Sequence, residues 1–89
     1  MKAVITVIGK DRPGIIAKVS MALYEKNANI DDISQTIMQG LFTMVMVVDL
    51  TDLSVSIEEL QQDLASVGEE LGTEIRLQRE EVFSAMHQV

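Results

Sequence analysis

The stretch KAVITVI, residues 2–8, places apolar or β-branched side chains on both of its alternating faces. Successive side chains of a strand point to opposite sides of a sheet. The two faces here are Ala3, Ile5 and Val7 against Val4, Thr6 and Ile8. A segment that is apolar on both sides is typical of a central strand, and we predict one over residues 2–8.

A second two-faced segment, LFTMVMVVDL, covers residues 41–50 and predicts another central strand. Before it, NIDDISQTIMQ at residues 29–39 carries Ile33 and Ile37 on one face and polar side chains on the other. This pattern predicts an edge strand with one buried side. Gly40 supplies a tight turn between the two segments, so together they form a hairpin.

Two segments have the 3.6-residue apolar period of amphipathic helices. The first spans residues 13–27. The second starts at Ser56, where Ser-x-x-Glu fits a capping box, and ends at Gly72, which suits the left-handed residue that closes a helix. Gly68 costs about 1 kcal/mol inside that helix relative to alanine, which is tolerable where another backbone approaches closely.

The end of the chain completes the pattern. Residues 73–79, TEIRLQR, alternate between apolar and polar side chains and predict a second edge strand. Residues 80–89 form a tail or a short helix with Phe83 and Met86 on one side. The order βαββαβ predicts an α+β ferredoxin-like sandwich, in which a four-stranded antiparallel sheet carries two helices on one face. We expect one domain over residues 1–79.

Helices on one face leave the other face of the two central strands without cover. Five or six apolar side chains left in water would forfeit on the order of 5 to 10 kcal/mol, which is comparable to the whole stability of a small domain. We therefore expect this face to be covered by the C-terminal segment around Phe83 and Met86, by a second copy of the chain, or by both.

The composition excludes several classes of partner. The 89 residues carry a formal net charge of −7, which argues against nucleic acid and anionic membranes as partners. The chain has no cysteine and no apolar run long enough to span a bilayer, so we expect a soluble cytoplasmic protein. Residues 1–29 hold five basic against two acidic side chains, so this part of the chain is locally positive.

The loop GKDRPGII, residues 9–16, joins the first strand to the first helix and has two interpretations. The structural interpretation is a strand-to-helix turn. Gly9 leaves the strand in a conformation that other residues resist, Asp11 or Arg12 caps the helix, and Pro13 occupies its first position.

The functional interpretation concerns the backbone N–H groups that this turn leaves exposed at the positive end of the helix dipole. They belong to Gly14, Ile15 and Ile16, and Gly14 has no side chain to obstruct an anion. A ligand carboxylate could bind there. The spacing fits neither the GxxxxGK[ST] phosphate loop nor the GxGxxG dinucleotide motif.

Three features together resemble the ACT domains, small βαββαβ modules that regulate amino-acid metabolism by binding amino acids. They are DRPGI at residues 11–15 directly after the first strand, ANI at residues 28–30 entering the second strand, and the element order over residues 1–79. The whole chain also resembles small stand-alone bacterial ACT proteins. In ligand-binding members of this family the amino acid lies between two subunits.

The resemblance implies a ligand site built from two copies of the chain. The ligand-binding residues it implies are Asp11, Arg12, Pro13, Gly14 and Ile15 of one copy, with Asn29 and Ile30 of its neighbour. Asp11 and the amides of Gly14 and Ile15 would face the amino and carboxylate groups of the ligand. Asn29 would hydrogen-bond the ligand from the other copy.

We infer a non-enzymatic regulatory module, homodimeric or higher, that senses a small amino acid and allosterically biases contact with a metabolic enzyme or regulator. The alternative is an assembly module that uses the same fold for protein–protein contact alone.

Catalysis of the acylphosphatase type finds only a rough match in Arg12 and Asn29. We expect no cofactor and no metal, because His87 lacks a second ligand at a recognisable spacing and the pair Asp31 and Asp32 is typical of a solvated surface.

Overall fold

The computed structural model describes residues 1–86, with side chains through Ser84. The elements are β1 (Lys2–Lys10), α1 (Ile15–Glu25), β2 (Asn29–Met38), β3 (Leu41–Asp49), α2 (Ile57–Leu71), β4 (Thr73–Arg79) and α3 (Glu80–Met86). The strands form one antiparallel sheet in the order β2-β3-β1-β4. The predicted βαββαβ order, the ferredoxin-like sheet and the central positions of β1 and β3 are confirmed.

The core lies between the sheet and the two long helices. Each central strand buries alternate side chains, and register places Ile5 of β1 opposite Met46 of β3. The fully buried side chains include Ala3, Ile5, Val7, Met44, Met46, Val48, Val19, Leu23 and Leu60. Leucine, isoleucine, valine and methionine therefore fill the interior, as expected of a chain with few aromatic residues.

Helix α2 begins and ends where the sequence predicts. The Ser56 hydroxyl accepts a hydrogen bond from the Glu59 N–H at 3.1 Å, and Gly72 follows the helix at φ +69°. Gly68 confirms the expected close approach, because a Cβ built there would lie 2.7 Å from the carbonyl oxygen of Thr73. The absence of a side chain at Gly68 lets the helix pack directly on the start of β4.

The start of α1 corrects the prediction for the preceding loop. The helix begins at Ile15, and its N-cap is Gly14 at φ +92° with no side-chain cap. A left-handed residue cannot lie inside a helix, so Pro13 belongs to the turn, and neither Asp11 nor Arg12 caps the helix. Gly9 also does not leave the strand in an unusual backbone conformation, as we had predicted.

Gly9 lies inside β1, paired with Phe42 and Thr73. A Cβ at Gly9 would come within 2.7 Å of the Thr73 Cγ2 and 3.0 Å of its Cα. Glycine is needed at this position because two strands approach closely, whereas we had expected an unusual backbone conformation. The strand accordingly continues to Lys10, two residues beyond the predicted end.

The outer strand β2 is more exposed than its pattern predicts. Ile33 and Ile37 lie opposite Met46 and Phe42 on the helix side of the sheet, yet they are 44% and 51% exposed. Only Ile30, near the start of the strand, packs against the core from this side. The expectation that one face of β2 is buried is therefore wrong for the single chain.

The edge of β2 presents a defined set of backbone groups. Gln39 and Gly40 both have positive φ, at 52° and 79°, which is the two-residue turn that matches strand twist. Met38 and Leu41 flank this turn and form a hydrogen-bonded pair, so the backbone groups of alternate residues point away from β3. These outward-facing residues are Ile33, Gln35 and Ile37.

The other outer strand, β4, is partly closed by α2. The side-chain Nε2 of Gln61 donates to the carbonyl oxygen of Leu77 at 3.2 Å. Leu77 and Ile5 form a non-hydrogen-bonded pair, so the carbonyl group of Leu77 points away from β1 toward the open edge. The bond from Gln61 therefore occupies an acceptor that would otherwise be available to an added strand. The two edges of the described sheet are thus unequal.

The face without long helices is less bare than we expected. Val4 is only 5% exposed, and α3 lies against β1 and β4 of its own chain. Phe83 lines a hollow of about 440 Å³ together with Thr6, Ile8 and Val45. The C-terminal segment therefore covers part of its own sheet, while the side chain of Met86 and the whole of His87 lie outside the described residues.

Among the residues that the structure describes, no helix is both long enough and apolar enough to cross a membrane.

Candidate functional site

The loop between β1 and α1 is tied to two other parts of the fold. The Asp11 N–H donates to the carbonyl oxygen of Gly40 at 2.8 Å, which joins the loop to the tip of the β2–β3 hairpin. The Arg12 Nη1 donates to the carbonyl oxygen of Leu71 at 3.3 Å, at the C-terminal end of α2. The guanidinium of Arg12 therefore lies at the negative end of a helix dipole.

The N-terminus of α1 is open to an approaching anion. Nothing lies within 4 Å of the point where a Cβ of Gly14 would be, and helical hydrogen bonding starts with the Lys18 N–H donating to Gly14 at 2.9 Å. None of the hydrogen bonds among the described residues uses the N–H of Gly14, Ile15 or Ile16. Three backbone donors without a partner thus lie at the helix end where the dipole favours negative charge.

The remaining side chains of the loop divide into exposed and buried ones. Asp11 and Pro13 are exposed, and Asp11 precedes the N-cap Gly14 by three residues. Ile15 is 1% exposed and belongs to the core. Ile15 can therefore reach a ligand only through its backbone, whereas Asp11 can present a negative charge to a ligand amine.

The residues predicted at the start of β2 lie in a different environment. Asn29 pairs with Asp49 on the face opposite the long helices, and its Nδ2 donates to Asp31 Oδ1 at 2.8 Å. The other carboxylate oxygen of Asp31 accepts from Lys2 Nζ at 2.6 Å. The hydrogen bonds from Lys2 and then Asn29 lower the pKa of Asp31, and the bond and charge of Asp31 raise the pKa of Lys2.

Ile30 pairs with Val48 and packs against the core, so its side chain has a structural contact already. A register shift follows it, where Asp31 is the extra residue of a β-bulge. Asn29 and Asp31 are two residues apart and lie on the same side of the sheet by ordinary alternation, which explains how they share a hydrogen bond, and the bulge adds Asp32 to that side.

Within one chain the two halves of the predicted site are far apart. Asn29 begins β2, whereas the loop at residues 11–15 is attached by Asp11 to the far end of the β2–β3 hairpin. A ten-residue strand is about 30 Å long at about 3.3 Å per residue. A single copy does not bring Asn29 and Gly14 together.

A polar hollow beside Asn29 was not predicted from the sequence. Its volume is about 420 Å³, and it is lined by Tyr24, Asn27, Ala28, Asn29, Asp49, Thr51 and Asp52. Hydrogen bonds from the Thr51 hydroxyl and N–H lower the pKa of Asp49. The Asn27 amide donates to the Asp52 carbonyl oxygen at 2.9 Å, so several of the lining polar groups are already paired with each other.

Ala28 and Asn29 belong to the ANI motif at the start of β2, but no local motif marks the other lining residues, which come from the end of α1, the end of β3 and the turns that follow them. Their only signal is the turn composition of residues 26–29 and 49–52, which contain asparagine, aspartate and threonine. Across the part of the chain described by the structure, no group of three or more potential metal ligands is found.

Comparison with known proteins agrees with the fold. A family model described as ACT domain matches residues 2–78.

The chain belongs to the ACT domain family. ACT domains are regulatory, ligand-binding modules, so the resemblance seen in the sequence is confirmed at the level of the family.

Relatives of this ACT domain include a UPF0237 protein of Methanopyrus kandleri, 54% identical over 88 residues that cover 99% of this chain and 98% of the relative. Among solved structures, an ACT domain protein from Streptococcus pneumoniae matches with a TM-score of 0.80 and 42% identity, covering 93% of each chain. The regulatory subunit of aspartate kinase from Thermus thermophilus, in a ligand-free form, matches with a TM-score of 0.67 and 33% identity, covering 86% of this chain and 50% of that one.

Proposed function

We propose that this ACT domain is a non-enzymatic regulatory module that binds a small amino acid at a homodimer interface. The observation that carries the proposal is the group of open N–H donors at Gly14, Ile15 and Ile16, with the exposed Asp11 three residues before Gly14 in the same loop. An α-amino acid presents a carboxylate and an ammonium group close together. The helix end suits the first group, and Asp11 suits the second.

The edge of β2 supplies a self-complementary surface for a second copy. In an antiparallel pairing with its two-fold axis at Gln35, Ile33 of each copy lies opposite Ile37 of the other. Both side chains are about half exposed in the single chain, and this pairing covers them. The outward-facing backbone groups of the edge are satisfied at the same time.

The same pairing explains why the site needs two copies. Residues that precede the bulge of one β2 come to lie beside the hairpin tip of the partner. That tip accepts a hydrogen bond from the partner's own loop, through Gly40 and Asp11. Asn29 of one copy is thereby brought toward the N-terminus of α1 in the other, which supports the intersubunit site implied by the family.

Ligand binding would then stabilise the dimer relative to the separate chains, because the site is complete only in the dimer. A change in the amount or rigidity of the dimer could allosterically alter its contact with a metabolic enzyme or regulator. The match to a regulatory subunit of aspartate kinase supports a role of this kind.

The direct experiment is calorimetric titration of the full chain with each of the twenty amino acids. We expect at least one to bind, and we expect Asp11→Asn to weaken that binding about tenfold, since a charge-assisted hydrogen bond to the ligand amine is lost. Glu69→Gln removes an exposed acid elsewhere and serves as the control. Heats of dilution alone for all twenty would remove the ligand from the proposal.

A second candidate, a pure assembly module, is favoured by one observation. The Asn29 amide already donates to Asp31 within its own chain, so it needs no ligand. This candidate predicts a dimer whose dissociation constant is unchanged by every amino acid. Sedimentation with and without amino acids separates the two candidates.

A further inference from the structure

Asp32 occupies a backbone donor on the strand edge where we place the second copy. Its Oδ1 accepts a hydrogen bond from the N–H of Ile33 at 2.9 Å. Ile33 is one of the residues whose backbone groups point away from β3, so this N–H belongs to the open edge of the sheet. The carboxylate of Asp32 therefore sits where an added strand would place a carbonyl oxygen.

We propose that Asp32 is a built-in competitor of dimerisation, which must release the Ile33 N–H before β2 can pair with β2 of a second copy. The inference rests on the proposed dimer and adds a regulatory residue to it. In the pairing centred on Gln35, the Ile33 N–H donates to Ile37 of the partner copy. The same N–H cannot serve the Asp32 carboxylate and the partner carbonyl equally, so the two acceptors exclude each other.

The position of Asp32 suits this role for two reasons. The residue is exposed, so its carboxylate can turn to water when the partner arrives. It is also adjacent to the bulge at Asp31, where the ladder to β3 is already irregular. Charged side chains at strand edges generally oppose pairing between sheets.

The size of the effect follows from the bond that is exchanged. Loss of one such hydrogen bond corresponds to about a fivefold change in an equilibrium constant. A two-fold dimer releases two of them, so removing both carboxylates is expected to tighten the dimer about 25-fold. The two Asp32 side chains lie on opposite sides of the axis and about 20 Å apart, beyond the range of strong repulsion at physiological salt.

The experiment measures the dimer dissociation constant of the full chain by sedimentation equilibrium for wild type, Asp32→Ala and Asp32→Asn. We expect Asp32→Ala to dimerise about 25-fold more tightly. Asp32→Asn retains an acceptor oxygen for the Ile33 N–H, so we expect a smaller gain. Glu69→Ala on α2 removes an equal charge away from the edge and is expected to leave the constant unchanged.

Two results would overturn the inference while leaving the dimer in place. One is an Asp32→Ala dimer no tighter than wild type. The other is an equal gain from Asp32→Ala and Asp32→Asn, which would assign the effect to charge and not to the hydrogen bond. If Asp32→Ala stays monomeric at all concentrations, with an unchanged circular dichroism melt, both the inference and the proposed dimer are overturned.

Discussion

At the scale of single residues, Gly14 controls access to the N-terminus of α1. Its φ of +92° is unfavourable for most side chains, and the space around its missing Cβ is open. A bulky replacement would therefore combine backbone strain with obstruction, and the two effects need to be separated.

Asparagine separates them, because it tolerates left-handed φ better than other side chains do. We predict that Gly14→Asn melts within a few degrees of wild type, while its side chain covers the helix N-terminus and weakens amino-acid binding at least tenfold. Gly72→Asn is the matched control, since Gly72 also has positive φ and open space. Equal affinity of Gly14→Asn and wild type in calorimetry would show that the ligand does not use these N–H groups.

The hydrogen bonds among Lys2, Asn29 and Asp31 predict how the folding stability depends on pH. Because the pKa of Asp31 is lowered on folding, its contribution to stability is present above pH about 4 and is lost as the pH falls through the folded-state pKa. The raised pKa of Lys2 gives the opposite sign, with a contribution present below pH about 10.4 and lost at higher pH.

We therefore expect Asp31→Asn to melt at a lower temperature than wild type at neutral pH, and the difference to shrink on acidification below pH 4. Thermal unfolding followed by circular dichroism across this range measures it. Glu69→Gln should show no such convergence. A difference between Asp31→Asn and wild type that is constant with pH would contradict the assigned hydrogen bond.

The loop also shows what the sequence can and cannot define at this scale. The motif DRPGI predicted a helix N-terminus in the right loop but two residues too early, at Pro13 instead of Ile15. Its backbone path was mispredicted, because Pro13 suits both a turn and a first helical position, and only the left-handed Gly14 decides between them. Glycine is needed at position 9 because Thr73 lies too close for a side chain there. Thr73 is distant in sequence, so no local pattern around Gly9 predicts this contact.

At the scale of elements, the packing of α2 on β4 depends on Gly68. Alanine at Gly68 would improve helix propensity by about 1 kcal/mol, but its Cβ would lie 2.7 Å from a backbone oxygen of Thr73 that cannot rotate away. We predict a net loss of roughly 1–3 kcal/mol of unfolding free energy for Gly68→Ala.

Urea denaturation is the measurement for this variant, and Ser66→Ala at an exposed position of the same helix is its control. Ser66→Ala should be neutral or slightly stabilising, since only propensity changes there. A stabilised Gly68→Ala would mean that α2 can move away from β4 without cost.

Periodicity predicted most elements well because their burial is decided within one chain. The strand at residues 73–79 and the ends of α2 were predicted to the residue, and both central strands were identified. Strand β2 shows the limit. Its isoleucines alternate as in a half-buried strand, but in one chain Ile33 and Ile37 remain exposed, and the bulge at Asp31 leaves no trace in the pattern.

At the scale of the whole molecule, the exposed isoleucines of β2 make the dimer testable. We predict that Ile33→Ser weakens dimerisation by at least tenfold and leaves the fold of the chain intact, because the side chain is 44% exposed in the single chain and is covered only in the proposed dimer. Amino-acid binding should weaken in parallel, since the proposed site is built from both copies.

Ile8→Ser is a close match as a control, because Ile8 is 42% exposed on the other face of the sheet. Its dimer dissociation constant should equal that of wild type in sedimentation equilibrium. If Ile8→Ser dissociates the dimer and Ile33→Ser does not, the copies meet through the open sheet face and the pairing along β2 is wrong.

The bond from Gln61 to Leu77 at the edge of β4 has a consequence for growth of the assembly. A sheet that accepts neighbours along both margins can extend without end into a ribbon, whereas one that accepts them along a single margin terminates after one addition. For the assembly proposed along β2, a single glutamine that seals part of the other margin favours a finite pair over polymers.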